Sequence, residues 1–464
     1  MCKLPPSARR PSLVAALAAL WLIAAPAALA TTPEDDRQGE QWAVAPGALV
    51  DLPGAWELSQ GAGVVVAVID TGARIDHPDL APNIWTNFDE IPGNGVDDDG
   101  NGYVDDVHGI DLTQTVPGQD LSDGNGHGTH VAGIIAAAAN GHGVVGVAYK
   151  AKLMVIKALD ASGSGTMSAV AEGIRYAAAN GARIINMSLG GDTPDPRVQD
   201  AIAAAAAANV LVVCSAGNAA RNIDQQPSFP VSIPAPNVIG VAATAPADGR
   251  SLSSFSNYGQ LTVGLAAPGE QVLSTANDGT YATKSGTSMA APHVAGVAAL
   301  MAAVRADLPA ADLRAALLQN ALSSALPVGS GYLYALGSVL SVASAANLAQ
   351  GQPPDVRILK AQRSGIGRRA TTQAQVAVLG ATQAIADYRV SIDRRQVAIV
   401  RKRATPFAIR LRGRSGTLLK IEARNARGKV LDRSTHEIVP VARGKRDIRS
   451  GGDVRSGAGV VVAE

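Results

Sequence analysis

Three short stretches of this chain hold, between them, the side chains for one kind of chemistry. Ala67-Val68-Ile69-Asp70-Thr71-Gly72 offers an aspartate, Asn125-Gly126-His127-Gly128-Thr129-His130-Val131-Ala132-Gly133 a histidine, and Ser285-Gly286-Thr287-Ser288-Met289-Ala290-Ala291-Pro292-His293 a serine. A serine hydroxyl is a weak nucleophile at neutral pH. It needs an imidazole to take its proton, and the imidazole needs a buried carboxylate to hold its tautomer and balance its charge. Taken one at a time, the three have ordinary roles: an Asp after a strand is a turn residue, a Ser opening a helix is an N-cap, a His among glycines belongs to a surface loop. Their joint occurrence, each where an element ends or begins, points instead to acyl transfer by an activated serine.

The surrounding elements must do the positioning. Residues 64–69, Val-Val-Val-Ala-Val-Ile, are an unbroken apolar run that reads as a central parallel strand. Ending it with Asp-Thr-Gly puts Asp70 at the carboxyl edge of the sheet, where open α/β proteins place their sites. His127 and Ser288 each open an Ala-rich stretch with few helix breakers, so both belong in the first turn of a helix. There Ser288 meets the positive end of the helix dipole. Residues 153–157, 184–188, 210–214 and 238–242 read as short buried strands, and 168–180, 198–208 and 287–304 as Ala-rich helices. The alternation predicts an α/β fold, a doubly wound parallel sheet with helices on both faces.

The three stretches, with His77-Pro78-Asp79-Leu80, resemble the signatures of the subtilisin-like serine proteases, whose chain order is also Asp, His, Ser. The likeness continues through Asn186-Met187-Ser188-Leu189-Gly190-Gly191, Ser215-Ala216-Gly217-Asn218, Phe255-Ser256-Asn257-Tyr258-Gly259 and Ala266-Ala267-Pro268-Gly269, and so covers residues 48–348. It implies a serine endopeptidase acting on polypeptides: Ser288 as nucleophile, His127 as general base then acid, Asp70 orienting it, and the Asn218 amide donating to the oxyanion together with the Ser288 N–H. It further implies that Ser188, Leu189, Gly190 and Gly191 form an edge on which an extended peptide pairs, with Ser215, Ala216 and Gly217 on the opposite wall of the primary pocket. Some relatives carry at the position of Ala219 an acid that favours basic residues; its absence here leans the pocket towards apolar or broad preference. Many secreted relatives carry a folded propeptide, but here only about twenty polar residues separate Ala30 from the catalytic domain, too few to fold alone. The rival from another class is a catalytically silent binding or adhesion protein that reuses the fold.

Two places suggest a cation. His127 and His130 form an HxxH pair, yet no further ligand recurs at helical spacing to complete a zinc site, and His130, His77, His142 and His293 read as structural. In Val96-Asp97-Asp98-Asp99-Gly100-Asn101-Gly102-Tyr103-Val104-Asp105-Asp106, oxygen ligands alternate at Asp97, Asp99 and Asn101 before a glycine, like the first half of an EF-hand loop. His108 stands where the bidentate Glu would be, leaving Asp105 or Asp106 as candidates to close the site in a shortened loop. Five acids within ten residues repel one another unless a cation relieves them or water solvates the turn. The family resemblance implies a second calcium at Asp79 and Asn140. Either ion would serve stability.

Composition frames these motifs. The chain has 464 residues, 47% hydrophobic and 3% aromatic, enough to bury a large core built from small aliphatics. Residues 1–30 read as a secretory signal, with Lys3, Arg9 and Arg10 before an apolar stretch too short for a comfortable membrane span, then Ala28-Leu29-Ala30 as cleavage site. Cys2 leaves with the signal, and Cys214 alone can form no internal disulfide. Residues 31–47 read as a short pro or linker segment, 48–348 as the catalytic domain, 349–356 as a linker, 357–445 as a basic β-sandwich-like domain and 446–464 as a tail. Residues 352–464 hold 24 Lys and Arg against 9 Asp and Glu, a balance of +15, while residues 1–351 hold 16 against 30, a balance of −14. Segments 390–392, 397–400, 407–411 and 418–422 alternate like antiparallel strands, and 425–429 like a hairpin turn. With no interleaved aromatics, the basic region gives no nucleic-acid reading; an acidic cell surface, or the acidic catalytic domain, suits it better. The expectation is a secreted monomer.

Overall fold

The computed structural model of the chain describes residues 35–45, 48, 50–246, 251–322, 326, 328–331 and 333, and, beyond these, strands between 355 and 440. The secretory signal, the 425–429 turn, the tail and all but two residues of the 349–356 linker lie outside the described residues.

Seven parallel strands form the central sheet in the order β2-β3-β1-β4-β5-β6-β7. They are β1 (Val65–Asp70), β2 (Gly109–Asp111), β3 (Lys152–Lys157), β4 (Ile184–Met187), β5 (Leu211–Ser215), β6 (Val238–Thr244) and β7 (Val263–Pro268). Helix α1 (Leu52–Trp56) precedes the sheet; α2 (His127–Ala136), α3 (Met167–Ala179), α4 (Pro196–Ala207), α5 (Thr287–Val304) and α6 (Ala310–Gln319) flank it. An antiparallel hairpin, β8 (Val272–Thr275) with β9 (Tyr281–Lys284), lies against α2.

Both faces of the sheet are buried, which is why its strands are apolar throughout rather than alternating. Val66, Val68, Leu153 and Val155 point to the layer of α2 and α5, while Ala67, Ile69, Met154 and Ile156 point to the layer of α3 and α4. Local signals set the helix starts: Thr166 accepts from Ala169 N at 3.1 Å before α3, and Asp195 accepts from Arg197 N at 2.8 Å before α4, with Pro196 at the first helical position. Helix α5 is apolar on every side and runs through the core. The sheet's order reverses around β1: β2 and β3 extend one way, β4 to β7 the other. Asp70, at the end of β1, therefore sits at the switch point, where a crevice opens.

The domain begins earlier than residue 48. Ala43 and Val44 are core residues, Trp42 Nε1 donates to Glu270 O at 3.1 Å, and Gln41 exchanges hydrogen bonds with the Val145 backbone. Residues 35–45 are thus part of the catalytic fold rather than a linker: too short to fold alone, they fold by packing on it.

Two further four-stranded sheets occur beyond residue 354, in the orders β14-β11-β10-β17 and β13-β12-β15-β16. Their strands are β10 (Asp355–Ser364), β11 (Thr371–Leu379), β12 (Asp387–Ile392), β13 (Arg395–Arg401), β14 (Phe407–Arg412), β15 (Leu418–Arg424), β16 (Val430–Glu437) and β17 (Val439–Pro440). The four segments read from alternation fall within β12 to β15.

Candidate active site

Asp70 ends β1 fully buried, and its Oδ1 accepts from Thr71 N at 2.8 Å and from His127 Nδ1 at 2.7 Å. His127 is the first residue of α2, so two sequence-distant elements meet at one hydrogen bond. Burial alone would push the imidazole pKa down, but the Asp70 charge and hydrogen bond outweigh it, and His127 is held above the ordinary histidine value. The approach is close. A Cβ on Gly128 would lie 2.1 Å from Gly72 O, so glycine is required there if α2 is to press its first turn onto the end of β1.

Asp123, which the sequence reading passed over, makes that junction. Gly126, the N-cap of α2, has no capping side chain. Asp123 substitutes from three residues upstream: Oδ1 accepts from Asn125 N, Gly126 N and Thr71 Oγ1 at 2.7–3.1 Å, and Oδ2 from Thr129 N at 2.8 Å and Thr129 Oγ1 at 2.6 Å. Thr71 Oγ1 in turn accepts from Gly128 N at 2.9 Å. One buried carboxylate thereby ties the end of β1 to the start of α2. Its sequence signal was an acid shortly before a helix with no cap of its own.

Ser288 lies in the first turn of α5. Its carbonyl would accept from the N–H four residues on, but that residue is Pro292, which has none. The freed oxygen accepts instead from Ser188 Oγ at 2.8 Å, and Asn186 Nδ2 donates to that hydroxyl at 3.0 Å. The Ser288 hydroxyl donates to Ser188 O at 3.2 Å, so in this state it faces β4's end rather than His127. Resting sites commonly hold such contacts loosely and tighten them with substrate.

Asn218 follows β5, and its orientation is fixed by chemistry. Thr287 N donates to Oδ1 at 2.9 Å and Thr287 Oγ1 donates to it at 3.0 Å, while Gly217 N donates to Thr287 Oγ1 at 2.9 Å. An atom that accepts from a backbone N–H must be the amide oxygen, so Nδ2 is turned the other way and finds no acceptor among the described residues. The Ser288 N–H, one of the orphan donors of a helix's first turn, likewise finds none among the described residues. Thr287, fully buried, is the hinge of this arrangement.

Two clefts of about 390 and 400 Å³ adjoin along Ser188, Leu189 and Gly190. One, bounded by His127, Leu159, Gly165 and Met167, lies on the α3 side; the other contains Ser288, Asn218, Ser215 and Gly217. Ala216 does not share this wall. It is fully buried among the side chains under α4, because strand alternation turns it away between Ser215 and Gly217.

The acidic loop is organised differently from the EF-hand pattern. Glu90, Asp99 and Asp106 bring one carboxylate oxygen each within 4.8 Å of one another, Glu90 and Asp106 being buried. Asp97 stands outside this cluster, its two oxygens accepting from Asn101 N and Gly102 N at 3.1 and 2.9 Å. Asn101 turns its Nδ2 towards Asp99 and Asp106, both at 3.0 Å, and its Oδ1 accepts from Tyr103 N. Glu90 lies too far upstream for loop spacing to reveal. Burial, with the Asp99 charge, raises the Asp106 carboxyl pKa against hydrogen bonds from Tyr176, Asn101 and Asn87. Asp79 and Asn140 do meet: Asn140 Nδ2 is 3.3 Å from Asp79 Oδ1. Asp35 joins them, its Oδ1 accepting from Asn140 N and Gly141 N at 2.9 and 2.8 Å while Oδ2 is buried with no partner among the described residues. His130 is buried with Nε2 on the Val272 and Ala282 carbonyls, and burial pushes its pKa down to about 3. Cys214 is buried, which raises its thiol pKa.

Comparison with known proteins shows which family the chain resembles. The profile of the subtilase family matches residues 61–364. Thermitase from Thermoactinomyces vulgaris is 40% identical over 291 residues, covering 62% of this chain and 91% of that protein. Subtilisin Savinase from Lederbergia lenta is 38% identical over 279 residues, 60% of this chain and 89% of that one. An extracellular protease from Xanthomonas campestris is 40% identical over 297 residues, but only 50% of its length is covered. A solved protease structure from Pseudoalteromonas arctica superposes with a TM-score of 0.56 at 36% identity, covering 67% of this chain and 100% of that one.

Proposed function

We propose that Ser288 is the nucleophile of this protein, for the chain belongs to the subtilase family and is a serine-type endopeptidase. The observation that carries the assignment is the His127–Asp70 hydrogen bond of 2.7 Å beside an Asn218 amide whose oxygen is tied down and whose nitrogen is free. An extended substrate lies along Ser188, Leu189 and Gly190, its side chain before the scissile bond entering between that edge and the wall of Ser215 and Gly217. For reaction the Ser288 hydroxyl leaves Ser188 O and turns to His127 Nε2. Ser288 Oγ attacks the carbonyl carbon as His127 takes its proton, and Asp70 stabilises the imidazolium. The oxyanion accepts from Asn218 Nδ2 and Ser288 N–H. Collapse expels the amine, which takes the proton from His127. Water then attacks the acyl-enzyme with His127 again as base, releasing the acid and restoring Ser288.

The reading extends to preference and setting. Glycines and small side chains suit broad or apolar residues in the pocket. The basic start and small-residue cleavage site support secretion, and the basic segment 357–445 suits an acidic surface. Calcium suits the oxygen-only set of Glu90, Asp99 and Asp106, and a second ion suits Asp79, Asn140 and Asp35; bound there, it would offset carboxylate repulsion far from the reacting bond.

Incubating the purified protein with casein beside Ser288→Ala tests the assignment. Cleavage by the wild type and none by the variant is expected. Equal absence of cleavage in both would favour the silent binding protein.

A further inference from the structure

The cleft beside Ser288 carries two charges that no catalytic step uses. Asp192 lies four residues beyond Ser188 on one wall and Arg221 three residues beyond Asn218 on the other, and both line the cleft. The Arg221 guanidinium donates through Nη2 to Asp192 Oδ1, so an ion pair joins the two walls. The partners are unequal. The Arg221 side chain is 26% exposed and its Nε is buried with no partner among the described residues, whereas the Asp192 side chain is 75% exposed. The Arg221 backbone is fixed, its N–H donating to Asn257 Oδ1 at 3.1 Å and its carbonyl accepting from Tyr258 N at 3.0 Å.

We propose that Arg221 is a specificity-determining residue of the primary pocket, with Asp192 as its displaceable counter-ion, so that the pocket ranks charged residues before the scissile bond acid over base. The proposal rests on the assignment of Ser288 as nucleophile. An incoming carboxylate takes the planar guanidinium fork in place of Asp192, whose exposed carboxylate turns to water it already touches. An incoming ammonium meets a like charge held in a confined space. An uncharged side chain leaves the pair intact.

Four peptides that differ only in bearing Glu, Gln, Lys or Leu at that position test this, with the wild type, Asp192→Asn and Arg221→Met. Ratios of kcat/KM within each enzyme cancel differences in folded fraction. The wild type is expected to cleave the Glu peptide faster than the Lys peptide. The Glu-to-Gln ratio should rise about tenfold in Asp192→Asn and fall about tenfold in Arg221→Met, where Lys gains. A wild type that prefers Lys to Glu, or Glu-to-Gln ratios unchanged across the three enzymes, overturns the proposal while leaving Ser288 in place. No cleavage of any peptide, together with no labelling of Ser288 by a fluorophosphonate, overturns the nucleophile assignment and the proposal with it.

Discussion

At the scale of single residues, the site works by removing choices. Asp70 fixes one imidazole tautomer, Thr287 fixes one amide orientation, and Pro292 frees one carbonyl so that Ser188 can grip the Ser288 backbone. The raised His127 pKa has a direct kinetic consequence. A general base must be neutral, so activity is lost as pH falls through the His127 pKa, and the acid limb of the kcat/KM profile should lie above the ordinary imidazole value. Asp70→Asn removes the carboxylate charge that raises it. The limb should move to lower pH, with kcat down by about 10⁴, the order measured for the same loss in subtilisin; a limb that stays put would separate Asp70 from His127. Asn218→Ala removes one of two oxyanion donors and should lower kcat by about 10² to 10³, again the subtilisin scale, with KM little changed. A change confined to KM in steady-state assays would place Asn218 in binding instead.

At the scale of elements, Asp70, His127 and Ser288 are delivered by ends: the carboxyl end of β1 and the first turns of α2 and α5. Asp70 and the two helix starts were legible because an apolar run closing on Asp and two Ala-rich runs opening after glycines are local signals. Asp123 and Glu90 were not, since each acts on partners that only folding brings near. Asp123 accepts five hydrogen bonds in a nearly water-free place, and Asp123→Ala leaves several donors unpaired. Unfolding by denaturant should show a loss of about 3 kcal/mol, since hydrogen bonds to a buried charge are worth more than neutral ones and water recovers only part of them. Activity should fall along with stability because the same carboxylate positions His127. A variant with wild-type stability would mean that α2 is held by its packing alone.

At the scale of the whole molecule, catalytic and acidic-loop chemistry are kept apart. The Glu90, Asp99 and Asp106 cluster belongs to an excursion between β1 and β2, anchored to α3 through Tyr176 and Tyr103, while Asp70 and His127 meet at the sheet's switch point. A cation there should therefore act on stability first. Excess chelator should lower the melting temperature by about 5 °C or more, since a ligand at a hundredfold its Kd contributes about 2.7 kcal/mol. Glu90→Gln should lower it similarly in calcium and blunt any further response to chelator. A melting curve indifferent to chelator would leave the loop's carboxylates to water alone.

What the sequence determined by itself is the reaction class and the layering: a family of serine-type endopeptidases, the parallel sheet, and the two faces of helices that bury it. These follow from periodicity and from residue types at element ends, both local properties of a chain. Only the tertiary structure decided which neighbours complete them. It put Asp123 beneath α2, Thr287 behind Asn218, residues 35–45 inside the domain, Glu90 in place of Asp97 among the acids, and Arg221 across from Asp192. Each of those pairings spans a chain distance over which no local signal survives, and each is settled by how closely the elements pack.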